Sequence, residues 1–241
     1  MTTIDTNQTV REIVQQCPAT VPVFEAFGID YCCGGNRSLE DACGRKNIPV
    51  DRVLADLTDA LVPRPAKDDS QWMISSLGTL ADHIVEQHHA YARCELTRLT
   101  ALAEKVFLRH GGNHPELGQI RDLVNAMASE MSTHMLKEEQ VLFPRLKIVE
   151  EAARQGVTPL PAFFGSLINP IRHMMEDHDD TGELLQNIRS LTNDYQPPVG
   201  ACMSYRALYH GLSDLERDLH QHIHLENNIL FPRALEFEKA H

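Results

Sequence analysis

Residues 134–146, HMLKEEQVLFPRL, and residues 222–235, HIHLENNILFPRAL, follow one plan: a histidine, a glutamate four positions later, then a Leu-Phe-Pro-Arg block. The same interval of 88 residues separates His134 from His222 and Glu138 from Glu226. An i, i+4 spacing puts imidazole and carboxylate on one helix face, about a turn apart. Each block can therefore aim a His/Glu pair at a common point. The preceding segments supply partners. His89 in VEQHHAYAR lies 45 residues before His134, and His178 in MMEDHDDTG lies 44 before His222. This match selects His89 over its neighbour His88. Apolar phase agrees, because Val85, His89, Ala92, Leu96, Leu99 and Val106 continue one stripe, whereas the stripe through His88 runs into Glu95. The other three segments give comparable stripes: Leu123, Met127, Met131, His134, Glu138 and Val141; Ile171, Met174, His178, Leu185 and Ile188; Leu208, Leu212, Leu215, Leu219, His222, Glu226 and Ile229.

Six polar residues thus interrupt core faces. An ionised glutamate on such a face costs several kcal/mol unless it is paired or bound to a metal. No Lys or Arg shares these stripes. Metal answers the charge, with His89, His134, Glu138, His178, His222 and Glu226 as candidate ligands. If each glutamate bridges and each ion takes two histidines, every ion receives four protein donors. A solvent-derived oxo or hydroxo bridge adds a fifth, and an octahedral ion keeps one position open for a diatomic molecule. Imidazole and carboxylate without thiolate suit iron, manganese or zinc. A dinuclear centre inside a bundle favours two non-haem irons.

Around this core the chain reads as all-α. Helical periodicity covers roughly 73–109, 115–152, 167–193 and 201–238, broken by HGGNHP, ARQGVTPLPAFFGS and NDYQPPVG, and predicts a four-helix bundle over residues 73–241. Residues 63–72, rich in proline and charge, read as a linker. Before them, residues 1–62 form short amphipathic pieces separated by Pro or Gly, a small helical domain with cysteines. Ser38 with Asp41 resembles a capping box that opens a helix directly after the stretch YCCGG, Tyr31–Gly35. The 241 residues carry 22 Lys and Arg against 34 Asp and Glu, a net charge of -12, with no basic window. Nucleic acid and anionic membrane are therefore not expected partners. The amino terminus has no uninterrupted apolar run, so neither a signal peptide nor a spanning helix is expected, and the cytoplasm is the expected compartment. Six cysteines, four of them before residue 44, are too sparse for a disulfide scaffold and are expected to be reduced.

The His/Glu spacing of residues 73–238 resembles that of hemerythrin-like bundles. With GIDYCCGG near the amino terminus and the two LFPR blocks, nearly the whole chain resembles the Repair of Iron Centers family, di-iron proteins of iron-sulfur cluster repair. The resemblance implies that His89, His134, His178 and His222 are terminal ligands and that Glu138 and Glu226 bridge. It further implies a role under nitrosative and oxidative stress, with damaged or apo iron-sulfur proteins as partners and iron release or nitric oxide handling at the centre. Nitric oxide reduction is permitted by an open coordination position and not required by it. Two other readings stand beside repair: an oxygen or nitric oxide sensor, and an adaptor with a purely structural metal site.

Vicinal Cys32 and Cys33 form a strained ring if oxidised, and in a reducing cell are free thiols. They read either as small apolar residues ending a helix, with Gly34 or Gly35 as its cap, or as a thiolate pair exchanging iron or nitric oxide with the bundle or a client. Cys17 and Cys43 sit at helix edges, and Cys94 and Cys202 read as packing. His83, His88, His173, His210, His220 and His224 read as partly exposed. Glu130, a turn before His134, is a candidate hydrogen-bond partner of a ligand, with Asp177 and Asp218 as further cases.

Overall fold

The computed structural model describes residues 4–17, 20–31, 35–60, 70–157 and 165–239. Cys32 and Cys33, most of the 63–72 linker and the middle of the 153–166 connection lie outside them. Among the described residues the regular secondary structure is helical; Thr9 and Ser38 form an isolated antiparallel bridge, and Gly165 stands at another bridge position.

The amino-terminal unit packs four short helices, Val10–Gln16, Val21–Ala26, Leu39–Arg45 and Val50–Ala60. Thr9 caps the first through a complete capping box: its hydroxyl accepts the Glu12 N–H at 3.1 Å, while the Glu12 carboxylate accepts the Thr9 N–H at 2.8 Å. Ser38 caps the third, accepting the Asp41 N–H at 3.2 Å. Here the reciprocal half is missing, because Asp41 turns to Arg45 at 3.5 Å. Gly35 is required for close approach, not for a positive φ: a Cβ there would stand 2.7 Å from the Tyr31 carbonyl oxygen. Val10, Ile13, Phe24, Tyr31, Leu39, Val53 and Leu57 form the unit's core, and Ile223 of the bundle completes it. At about 1.5–3 kcal/mol for each fully buried large side chain, that shared residue ties the two parts together.

A short helix, Ser70–Ile74, takes up the last three residues of the expected linker. Arg233 donates to the carbonyl oxygens of Trp72 and Ser75, both at 2.5 Å, and so caps this helix from the far end of the chain. The bundle follows. Its first helix begins at Leu77 behind the Ser76 N-cap and ends at His110; the second spans Glu116 to Gln155; the third is Ile168–Leu191; the fourth spans Met203 to Lys239. Gly156, at φ +67°, closes the second helix in a left-handed turn that favours glycine. First and fourth helices approach closely at Gly211, where a Cβ would meet Leu99 at 2.8 Å.

The first, second and fourth helices each contain a π-helical segment: Ile84–His89, Glu138–Leu142 and Leu225–Leu230. Two of these precede the prolines of the LFPR blocks. A proline inside a helix removes one N–H and crowds the carbonyl four residues back, so a locally wider helix relieves the clash. The Phe143 N–H reaches back five residues to the Glu138 carbonyl, and the Phe231 N–H to that of Glu226. Two apolar clusters, one around Leu99, Met131 and Leu215 and one around Leu80, Leu146 and Phe231, fill the bundle on either side of these segments.

Candidate metal centre

Between the two clusters the four bundle helices bring His89, His134, Glu138, His178, His222 and Glu226 together. His134 is 3% exposed and the other five are 0% exposed. They form two groups sharing both carboxylates, His89/His222 with Glu138/Glu226 and His134/His178 with Glu138/Glu226. Within each group the candidate ligand atoms lie within 4.8 Å of one another. Glu226 faces both groups, Oε1 toward His222 Nε2 at 3.1 Å and Oε2 toward His178 Nε2 at 3.1 Å. Glu138 Oε2 stands 3.3 Å from His89 Nε2 and 3.2 Å from His134 Nε2.

Hydrogen bonding on the outer side of the rings fixes what faces inward. His89 Nδ1 is 2.6 Å from Glu139 Oε1, and His134 Nδ1 is 3.3 Å from Asp177 Oδ2; a carboxylate accepts, so both nitrogens donate. His178 Nδ1 donates to Asn227 Oδ1 at 2.9 Å. In the neutral ring the Nε2 atoms of His89, His134 and His178 then carry lone pairs turned inward, those of His134 and His178 3.0 Å apart and that of His89 3.2 Å from His222 Nε2. Both oxygens of Glu138 and Oε2 of Glu226 are buried without a hydrogen-bond donor. Lone pairs and negative oxygens converging in a dry interior need a positive charge between them. The residues fit two metal ions.

Without metal, protons take that role. Burial opposes charge on His134, but Glu138, Asp177 and Glu226 outweigh it and push its pKa up to about 10. His89 is raised on the same balance, burial being overcome by Glu138, Glu226 and Glu139. Burial and Glu226 work against ionised Glu138, yet its imidazole neighbours hold it below the ordinary range; Glu226 falls further, burial being outweighed by His222 and His178. Glu216, on the fourth helix, shows the contrast. It is also buried, but Arg189 grips it through two nitrogens, one at 3.1 Å.

Aromatic rings seal the centre. Phe143 stacks on His89 at 5.8 Å between centroids and Phe231 on His178 at 6.1 Å. The phenylalanine of each LFPR block thus covers an imidazole of another helix.

Several expectations need correction. Glu130 is exposed, and His134 takes Asp177, from the neighbouring third helix, in its place. His88 and His224 are buried, not partly exposed. His88 Nδ1 is 3.0 Å from Asp218 Oδ1, and the His88 ring stacks on His222 at 5.7 Å. His224 Nδ1 accepts from Asn228 Nδ2 at 2.9 Å. Cys94 and Cys202 are exposed and do not pack in the core; Cys202 Sγ lies 3.2 Å from His110 Nε2. Cys43 is buried, as a small helix-edge residue can be. His173 and His210 are exposed, His83 and His220 half-buried. Asn227, Glu139, Phe143 and Phe231 escaped the sequence reading. The signal for the phenylalanines was the LFPR repeat itself; that for Asn227 and Glu139 was only their place beside the two core glutamates.

Residues 80–234 match the family model of the hemerythrin HHE cation binding domain, and residues 6–61 match a domain of unknown function, DUF542. The chain is 37% identical over 229 residues to a protein of Haemophilus influenzae named as a probable iron-sulfur cluster repair protein, covering 95% of this chain and 96% of that one. It is similarly 37% and 36% identical to proteins from Enterobacter sp. and Escherichia coli, both named iron-sulfur cluster repair protein YtfE, over 95% of this chain and 97% of each relative.

Proposed function

The chain belongs to the hemerythrin-domain family of iron-sulfur cluster repair proteins, and from that membership we propose that it restores iron-sulfur clusters damaged by nitrosative or oxidative stress. In this reading its centre holds two non-haem irons. His89 and His222 are terminal ligands of one position, His134 and His178 of the other, and Glu138 and Glu226 bridge them. The carrying observation is the pair of fully buried carboxylates, shared by two His groups and lacking the arginine that Glu216 possesses.

Irons held there would supply one-electron chemistry, affinity for nitric oxide or oxygen, and metal for a depleted cluster. The chain's own residues orient and insulate. Glu139, Asp177 and Asn227 hold three imidazoles as neutral donors with Nε2 turned inward. Phe143 and Phe231 keep bulk water off the rings, which strengthens every charge interaction inside. The clients are iron-sulfur proteins with damaged or metal-depleted clusters. Cys32 and Cys33, in the same reading, pass iron or nitric oxide between centre and client. Among the described residues no helix is long and apolar enough to cross a membrane.

The test pairs metal analysis with repair. Anaerobically loaded protein should carry two irons per chain and restore activity to an iron-sulfur enzyme inactivated by nitric oxide, while Glu138→Ala and Glu226→Ala should lose both properties. Failure to bind iron, or recovery equally well supported by both variants, would refute the proposal. Adding nitric oxide to the reduced protein separates repair by iron donation from the rest. Iron lost to an apo-cluster acceptor marks donation, sustained nitrous oxide marks reduction, and stable nitrosylation with neither marks sensing.

A further inference from the structure

Three of the four inward-facing imidazoles are anchored from behind and one is not. Glu139, itself gripped by Arg93 Nη2 at 2.5 Å, holds His89. Asp177, gripped by Lys137 Nζ at 2.9 Å, holds His134. Buried Asn227 holds His178. His222 Nδ1 is buried with no hydrogen-bond partner. The natural acceptor stands one turn earlier on the same helix face, at Asp218. Its Oδ1 lies instead 3.0 Å from His88 Nδ1, and its Oδ2 is buried with no partner. The His88 ring occupies the flank of His222, stacked within 10° of parallel.

Both positions share the same two glutamates, so any inequality between them comes from the histidines. A ring nitrogen that donates to a fixed acceptor is oriented and made a stronger donor at its other nitrogen, and losing such a partner typically costs about 10–100-fold in metal affinity. His134 and His178 are both anchored; of His89 and His222 only one is. We infer that the two metal positions are unequal, and that the one between His89 and His222 is labile and gives up its ion first. His88 sets this inequality by diverting Asp218 from His222, which makes it a positioning residue for the ligand set. The inference rests on the two-iron reading above and assigns the donated iron to one position.

The test follows iron leaving the full chain. Apo-protein loaded anaerobically with two ferrous ions is mixed with excess coloured chelator, and release is read by absorbance. Two phases of one ion each, with rates about 10–100-fold apart, are expected. Asn227→Ala should speed only the slow phase. Glu139→Gln should speed only the fast one. His88→Phe, which frees Asp218 for His222 Nδ1, should slow the fast phase toward the other. A slowed release cannot arise from a damaged fold, so this variant keeps the test decisive if Asn227→Ala folds poorly. A single phase releasing both ions, or an Asn227→Ala effect confined to the fast phase, would overturn the inference. Two unequal phases without transfer to an apo-cluster acceptor would support unequal positions while refuting donation; a chain that binds no iron would overturn both.

Discussion

Glu138, Glu226 and Glu216 are all buried carboxylates in one bundle, and their neighbours separate them. Glu216 has a guanidinium; the other two have imidazoles and each other. Removing a partner from a buried ion pair strands the other charge. In the metal-free protein Glu216→Gln should therefore lower stability by about 1–3 kcal/mol, discounted for the partly exposed Arg189. Glu138→Gln should lower it as well near neutral pH, because protonated His134 and His89 lose their carboxylate, and bound metal cannot restore the loss. Thermal unfolding of both variants with and without metal checks this. The pH dependence has a definite sign. His134 is raised from an ordinary 6.5 to about 10, so its stabilisation of the metal-free fold is complete below 6.5 and lost as pH climbs through about 10. Glu138 and Glu226 are lowered, so theirs is complete above the ordinary 4.5 and lost as pH falls through their folded values. Metal-free protein should be most stable between about 4.5 and 6.5 and weaken toward alkaline pH. Metal, which needs the imidazoles neutral, should remove the alkaline decline and release protons on binding. Thermal midpoints across pH, with calorimetry in buffers of different ionisation enthalpy, read both effects.

At the scale of elements, a proline in each LFPR block is coupled to a wider turn, and that turn carries a core glutamate. Restoring the missing N–H should let the helix tighten. Pro232→Ala is expected to raise the stability of the metal-free protein, by at most the roughly 3 kcal/mol an interior proline costs, and to weaken metal binding because Glu226 turns from its position. Denaturant unfolding beside a metal titration would show the two moving in opposite directions. The same elements mark where the sequence was readable. Spacing at i, i+4 and an internal repeat brought six residues to one place, because both survive in any helix. Exposure of His88 and His224 was misread because a stripe drawn at 3.6 residues per turn slips where a π segment adds a residue, and both lie in or beside one. Asp177 outranked Glu130 for a related reason: partners of an imidazole come from neighbouring helices, which one helix's periodicity does not place. The Phe143 and Phe231 stacks were equally invisible, since both reach across to rings on other helices.

For the molecule as a whole, the amino-terminal unit docks on the helix that bears His222 and Glu226. Ile223 enters its core, and Tyr31 packs edge-on against His224 at 5.5 Å and His220 at 6.3 Å. Beside this contact a cleft of about 850 Å³ opens between the two parts, with Arg37 and Lys46 on one wall and Arg189, Arg217 and His220 on the other. Removing the Tyr31 side chain should cost about 3–5 kcal/mol, as aromatic truncations in a core do, and should loosen the small unit without changing iron content. Replacing Cys32 and Cys33 together by Ala should leave iron content and its spectrum intact while abolishing repair; undiminished repair would refute a thiol role. Domain order and helix number could be read from composition and periodicity, but this docking could not, because Tyr31 and Ile223 are each ordinary core residues of their own segment. In the proposed centre two cations share Glu138 and Glu226. X-ray absorption at the iron edge, on protein whose metal has been counted, tests that sharing directly. The prediction is two irons per chain with an iron–iron vector at about 3.5–4 Å or shorter, lost in Glu226→Gln. One iron per chain, or a vector unchanged by that substitution, would contradict it.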